Sequence, residues 1–402
     1  MKYGMKLDAG IRNSSGVQTT QVRSEPPKLR RYSGRSRKKI TTILEGTDIR
    51  INGDRPWDMQ VHDERLYRRV LAEASLGLGE AYMDGWWDCE RIDEMMTRIF
   101  SAGINRKMMA RVLAFDVIRA KLLNLQNKHR AFTVGEQHYD IGNDLYEDML
   151  DTRMIYSCGY WKHARTLDDA QEAKLELTAR KLGLKPGMRV LDIGCGWGGA
   201  ARYMAEHYGC EVVGVTISRS QVEYAKEHHK GLPIDIRFQD YRDLDESFDR
   251  IFSIGMFEHV GVKNYRTFMK SARRLLSDDG LLLLHTIGNS RTVDHGDPWI
   301  SRYIFPNAML PSAPQISKAA EGHFVMEDWH NFGAHYDTTL MHWAQNFDKA
   351  WPELRQKYGD RFYRMWKFYL LSCAGGFRSR NHQLWQIVFS PHGVPGGYTS
   401  VR

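Results

Sequence analysis

The chain has 402 residues, of which 42% are apolar and 26% charged, with a net charge of +8. That is long for one small domain and apolar enough for a real core, so two domains are expected, and no run of about 18 apolar residues offers a membrane-spanning helix. The start lacks the apolar segment and cleavage site of an export signal, so a cytoplasmic location is expected, and Cys89, Cys158, Cys195, Cys210 and Cys373 read as free thiols rather than a disulfide framework or a zinc site.

The charge is unevenly placed. Residues 1–40 hold eleven Lys or Arg and two acids, a balance of +9, which leaves residues 41–402 at −1. This stretch is rich in Ser and Gly without periodicity and reads as a basic, disordered tail. A basic tail on a neutral body fits an anionic surface such as lipid headgroups, or simple solvation; it does not fit a nucleic-acid groove. Residues 41–103 read as a small, mainly helical N-terminal domain. Leu66, Val70 and Leu71 keep helical spacing over 65–74, and Asp88 stands where it could cap a helix carrying Ile92, Met95, Met96 and Ile99. Over 104–130, Met108, Val112, Phe115, Ile118, Leu122 and Leu125 recur every three or four positions among basic residues. This amphipathic linker helix fits a membrane surface, or packing on a neighbouring domain or second subunit.

From about residue 170 strands and helices alternate. "RVLDIG" (189–194), "EVVGVTIS" (211–218), "IDIRFQD" (234–240), "FDRIFSIG" (248–255) and "GLLLLHTI" (280–287) read as strands, with helices between them, which predicts an α/β, doubly wound parallel sheet. The last hundred residues, rich in Trp, Tyr, Phe and His, are expected as additional structure around that sheet.

"VLDIGCGWGGAA" (190–201) sits where a strand ends and a helix begins. Gly194, Gly196 and Gly198 allow a tight turn and close backbone approach to a ligand, with Asp192 just upstream. The spacing is G-x-G-x-G rather than the dinucleotide G-x-G-x-x-G, and no lysine follows to hold a triphosphate. The next strand ends without a carboxylate, so Thr216, Ser218 and Gln221 are candidates to hydrogen-bond the ligand instead. Gln239, Asp240 and Tyr241, at the end of the third strand, stand where methyltransferases contact adenine.

Further motifs surround this turn: "GLGEAYMDGWW", "EQHYDIGNDLY" (136–146), "YSCGYW" (156–161), "GVTIS", "QDYRD", "GMFEHVG" (255–261), "LLHTIG" (283–288), "DPWI..YIFPN" (297–307) and "MEDWHNFGAHYDTTL" (326–340). From about residue 45 to 390 the chain resembles the cyclopropane-fatty-acyl-phospholipid synthase family. The basic stretch before residue 45 is the main departure. The resemblance implies a Rossmann-like S-adenosylmethionine-dependent methyltransferase domain over 131–402. It implies methylene transfer from S-adenosylmethionine to the cis double bond of an unsaturated phospholipid acyl chain, forming a cyclopropane ring, at the inner face of a membrane. It also implies a bound bicarbonate as general base, held by Cys158, Glu258, His285 and Tyr336 with the backbone of Ile287. Tyr156 and Ser157 are expected at the cofactor. Cys373 matches a family cysteine, but this chemistry needs no thiolate and it reads first as a structural residue; Arg378 and Arg380 nearby could lower its pKa or, with Lys367, meet a headgroup phosphate. A homodimer is the expected assembly.

The chemistry explains the residue types. An alkene is a weak nucleophile, and methyl transfer to it leaves a carbocation, so the site needs an apolar tunnel, electron-rich rings and a base shielded from water. Tyr156, Tyr160, Trp161, Tyr303, Phe305 and Tyr336 are candidate rings. Competing readings are a relative that leaves a methyl branch, methylidene or hydroxyl from the same cation, a methyltransferase acting on nucleic acid or a small molecule, and a lipid-binding protein without catalysis.

Overall fold

The computed structural model describes residues 27–106, 108 and 142–402. Residues 1–26 and nearly all of the expected linker helix over 104–130 lie outside them. The described residues begin with a helix whose first part falls in the stretch expected as a disordered tail: α1 spans Pro27–Leu44. Seven of the eleven basic residues of the first forty fall in this helix, and they hide the apolar positions at its end. Ile40 and Leu44 are buried in one cluster with Leu66, Tyr67 and Val70 of α2 (Arg65–Glu73), while Arg35, Lys38 and Lys39 are exposed. Burying those two side chains contributes about 2 kcal/mol each, enough to order a short helix against a preformed face.

The N-terminal unit continues with β1 (Gln60–Val61), α3 (Ser75–Met83), β2 (Trp87–Asp88) and α4 (Ile92–Ser101). Asp88 does not cap α4, which starts after Arg91. It sits in the β1–β2 ribbon and accepts from Arg364 at 2.7 Å. The unit has no separate core. Its buried residues form one cluster with those of two long C-terminal helices, α12 (Ala334–Tyr358) and α13 (Asp360–Arg378). Gly375 allows α13 to press on α4, since a Cβ there would lie 2.7 Å from the Asp93 carbonyl oxygen. Arg378 then clasps Asp93, Glu94 and Asp337 at 2.6–2.9 Å.

Between these parts run α5 (Asn143–Met149), α6 (Leu167–Leu182), β3 (Arg189–Ile193), α7 (Gly199–Tyr208), β4 (Glu211–Thr216), α8 (Arg219–His228), β5 (Ile234–Phe238), β6 (Phe248–Ile254), α9 (Tyr265–Leu275), β7 (Leu276–Asn289), α10 (Pro298–Tyr303), α11 (Ala313–Ala320), β8 (Val325–Asn331) and β9 (His382–Ser390). The seven strands are ordered β5-β4-β3-β6-β7-β9-β8. The first five in that order are parallel, as expected from the βα alternation. The correction is at the other edge. Two strands from the aromatic-rich C-terminal part complete the sheet, β9 running antiparallel to both β7 and β8. Strand order reverses at β3, whose neighbours β4 and β6 follow it on opposite sides, so a crevice opens beyond its carboxyl end.

Candidate active site

The glycine turn caps β3 at that crevice. Gly194 has φ +85°, and a Cβ there would stand 2.6 Å from the Met256 Cβ, so both conformation and space demand glycine. The N–H groups of Gly194 and Cys195 donate to the Val215 carbonyl at 2.9 and 3.1 Å, locking the turn onto β4. A cavity of about 210 Å³ lies over it. Of the twelve residues expected at the cofactor, Tyr156, Ser157, Asp192, Gly194, Gly196, Thr216, Gln221, Gln239, Asp240 and Tyr241 line it. Gly198 and Ser218 do not. Gly198 is the left-handed residue that opens α7, and Ser218 caps α8 by accepting from the Gln221 N–H at 3.4 Å.

Charge in this cavity is arranged in depth. Burial pushes the Asp192 carboxyl up to about 8, and its Oδ2 is buried with no hydrogen-bond partner among the described residues. Lys174, fully buried on α6, also lines the cavity; burial lowers it to about 8, and its Nζ donates to the Ser157 hydroxyl at 3.1 Å. Both Asp240 oxygens are held by Arg242, at 2.6 and 2.8 Å. Lys174 was missed by reading the sequence, because an isolated lysine on an amphipathic helix carries no signal of burial.

A second, larger cavity of about 820 Å³ adjoins the first. It lies between the N-terminal unit and the C-terminal helices, and its walls are mostly apolar. Ile40, Ile43 and Leu44 of α1, Leu66 and Val70 of α2, and Met96 and Ile99 form one side; Leu340, Phe368 and Phe377 stand among the residues of α12 and α13. Tyr156, Gly255 and His259 line both cavities. Around that junction Tyr156 packs on Trp343 (centroids 5.1 Å) and Phe305 (6.3 Å), Phe305 meets Tyr369 (5.8 Å), and Trp343 meets Tyr336 (5.9 Å). The Tyr156 and Tyr369 hydroxyls are hydrogen-bonded at 2.9 Å.

Of the candidate rings, Tyr156, Phe305 and Tyr336 line this cavity, and the other three lie elsewhere. The Tyr303 hydroxyl donates to Glu80 at 2.7 Å, Tyr160 packs on Phe332, and Trp161 donates from Nε1 to the Thr339 hydroxyl at 2.9 Å. Tyr369 was missed; on long helices full of aromatics, spacing alone does not tell a cavity ring from an ordinary core ring such as Trp343, which packs on Tyr156 and lines neither cavity.

Glu258 stands at the end of β6 on the turn Phe257–His259 and lines the larger cavity. It is 5% exposed, and burial raises its carboxyl to about 7. Its Oε1 accepts from the Ile287 N–H at 2.7 Å, so that N–H is already engaged; Oε2 is buried without a partner among the described residues. His285 is two residues before Ile287 on β7 and lines neither cavity. The Thr178 hydroxyl donates to the Lys174 carbonyl, so it accepts one N–H of Gln386, whose other N–H points to His285 Nδ1 at 3.3 Å. That leaves His285 neutral with the proton on Nε2, also unpartnered among the described residues. Burial depresses its pKa in the same direction, and burial holds His259 down to about 4.

Neither cysteine stands as a reactive thiol; the resemblance implies Cys158 in the bicarbonate cradle, and Cys373 reads first as a structural residue. Cys158 lines neither cavity; it donates to the Gly159 carbonyl at 3.2 Å, accepts from Thr339 at 3.8 Å, and burial drives its pKa up. Cys373 lines the larger cavity, but burial raises it to about 12. The alternative of activation by arginine finds no support: Arg378 is spent on Asp337, Asp93 and Glu94, and Arg380 reaches only neutral amides. Lys367 is likewise committed to Asp348 at 2.9 Å.

The family model described as mycolic acid cyclopropane synthetase matches residues 126–387. The chain is 54% identical over 363 residues to the cyclopropane-fatty-acyl-phospholipid synthase of Escherichia coli, covering 90% of this chain and 94% of that one. Its fold matches the cyclopropane synthase MmaA2 of Mycobacterium tuberculosis with a TM-score of 0.61 and 32% identity, covering 64% of this chain and 97% of that one. Mycolic acid cyclopropane synthase CmaA1, solved with SAH and CTAB, matches with a TM-score of 0.60 and 33% identity over the same shares.

Proposed function

The chain belongs to the mycolic acid cyclopropane synthetase family and is an S-adenosylmethionine-dependent C-methyltransferase, and from that premise we propose that it adds a methylene across the cis double bond of an unsaturated phospholipid acyl chain. One observation carries this reading: a nucleoside-sized cavity and a long apolar one meet at Tyr156, Gly255 and His259, with Glu258 beside the junction. The apolar volume lies in the range of about 300–1,000 Å³ usual for small-molecule sites.

In this scheme Asp192, with its unpartnered Oδ2, accepts from a donor on the cofactor, and the glycine turn brings the backbone close to it. The rings of Tyr156, Phe305 and Tyr336, which line the apolar cavity, stabilise positive charge on the acyl chain by roughly 0.5–2 kcal/mol each where they face it. The apolar walls exclude water, which would otherwise trap the cation as an alcohol. Two orphaned buried groups, Glu258 Oε2 and His285 Nε2, fit a small oxyanion that accepts from histidine and shares a proton with a carboxyl raised to about 7. With Tyr336 they would hold bicarbonate, which would supply a base for the proton that leaves as the ring closes. Cys158 and Cys373 serve this scheme as small buried groups, not nucleophiles.

Membrane attachment belongs to the same proposal. The basic, exposed side of α1 carries Arg35, Lys38 and Lys39, while its apolar side walls the acyl cavity, so one helix would face both headgroups and chain. Among the described residues no helix is long and apolar enough to cross a membrane. A homodimer is proposed on the small helical N-terminal unit, and light scattering at the mass of a single chain would remove it.

The test is incubation with methyl-labelled S-adenosylmethionine and dioleoyl phospholipid vesicles, followed by mass spectrometry of the acyl chains. Label in a cyclopropane ring is expected. Label in a methyl-branched or hydroxylated chain, or in no lipid, would overturn the assignment.

A further inference from the structure

The polar lining of the acyl cavity is not spread evenly. Apart from Glu258 and His259 at the reacting end, much of it comes from two short segments, 105–106 just after α4 and 289–297 just after β7. The acid in these segments that lines the cavity, Asp297, is already occupied, since its Oδ1 accepts from the backbone N–H groups of Trp299 and Ile300 at 2.9 and 3.1 Å. His295 is paired with Asp294 at 3.1 Å. Arg106 and Arg291 are different. Both line the cavity, both are exposed, and neither makes an ion pair among the described residues. Nearby arginines are committed: Arg98 to Glu94, Arg302 to Glu80, Arg361 to Asp84 and Arg378 to three carboxylates.

Two uncommitted guanidinium groups at the wet edge of an acyl-sized cavity call for an anion attached to the chain within. A carboxylate or phosphate matches the guanidinium fork. The carboxyl group of a fatty acid in a membrane lipid is esterified and uncharged, which leaves the phosphodiester. We propose that Arg106 and Arg291 form a headgroup subsite that binds the phosphodiester of the lipid whose acyl chain fills the cavity. The proposal rests on the phospholipid reading above and adds where the headgroup sits and what selects it.

The experiment uses the full chain with two lipids that share their acyl chains, dioleoylphosphatidylcholine and dioleoylglycerol, each in dodecyl maltoside micelles. These micelles carry neither charge nor phosphate, so attraction to an anionic surface plays no part. R106Q/R291Q should raise KM for the phosphatidylcholine about tenfold, two exposed ion pairs worth about threefold each, with kcat unchanged. KM for dioleoylglycerol should not move, and R106K/R291K should recover most of the loss. Unchanged melting temperature and cofactor affinity would show the fold is intact. Equal shifts for both lipids, or a shift for neither, would overturn the subsite. Inorganic phosphate should not inhibit the wild type; inhibition that disappears in R106Q/R291Q would reassign the site to free phosphate and overturn the lipid assignment. Failure of the wild type to convert either lipid would remove the phospholipid reading itself, and it would be seen before any arginine is changed.

Discussion

Substituting Glu258 by Gln separates its charge from its shape. The side chain keeps an oxygen able to accept from the Ile287 N–H, a contact of 2.7 Å in the wild type, so the junction between cavities should hold its geometry. What changes is proton exchange at the buried Oε2. If Glu258 shares a proton with the base that closes the ring, kcat should fall by about 10²–10⁴, the usual worth of general acid–base catalysis, with SAH affinity within twofold of wild type. Stability supplies an independent check with a defined sign. The carboxyl rises from 4.5 to about 7 on folding, so the folded state binds its proton more tightly than the unfolded chain. Its favourable contribution is complete below pH 4.5, declines between pH 4.5 and 7, and is gone above, a span of about 3 kcal/mol for a group this buried. Denaturant titrations at pH 4.5, 6 and 8 should therefore show a decline that is smaller by this amount in Glu258→Gln, the raised Asp192 carboxyl contributing alike in both proteins. Weakened cofactor binding with turnover retained, or the same pH dependence in both proteins, would refute the reasoning.

Gly194→Ala should lower stability by about 1–3 kcal/mol and SAH affinity at least about tenfold, since it forces φ +85° on alanine and a Cβ into Met256; calorimetric melting and ligand titration measure both. Cys373→Ala should keep kcat within about threefold, because the thiol is held protonated with a pKa near 12; a loss of more than about a hundredfold in a turnover assay would make the sulfur catalytic. Trp343→Ala, which empties a fully buried ring site, should cost about 3–5 kcal/mol in urea unfolding and lower kcat through the lost ring at Tyr156. Replacing exposed Arg35, Lys38 and Lys39 by Gln should weaken binding to anionic vesicles by about fivefold per residue at low salt, and the difference should fade in sedimentation assays at high salt.

The sequence alone determined what short-range pattern encodes. Strand-to-helix alternation from residue 170, the glycine turn and eight of the ten expected residues that line the cofactor cavity follow from segments that are close in the chain, because a βα unit is built from neighbours; Tyr156 and Ser157 came with the resemblance. Tertiary structure decided what depends on distant partners. That β8 and β9 close the sheet, that Arg378 meets Asp93 across 285 positions, and that Ile40 and Leu44 convert a basic stretch into a helix are outcomes of packing. The electrostatics belong to the same class. A carboxyl such as Glu258 acquires a pKa near 7, and a thiol such as Cys373 loses its reactivity, only when the rest of the chain has removed water from around them.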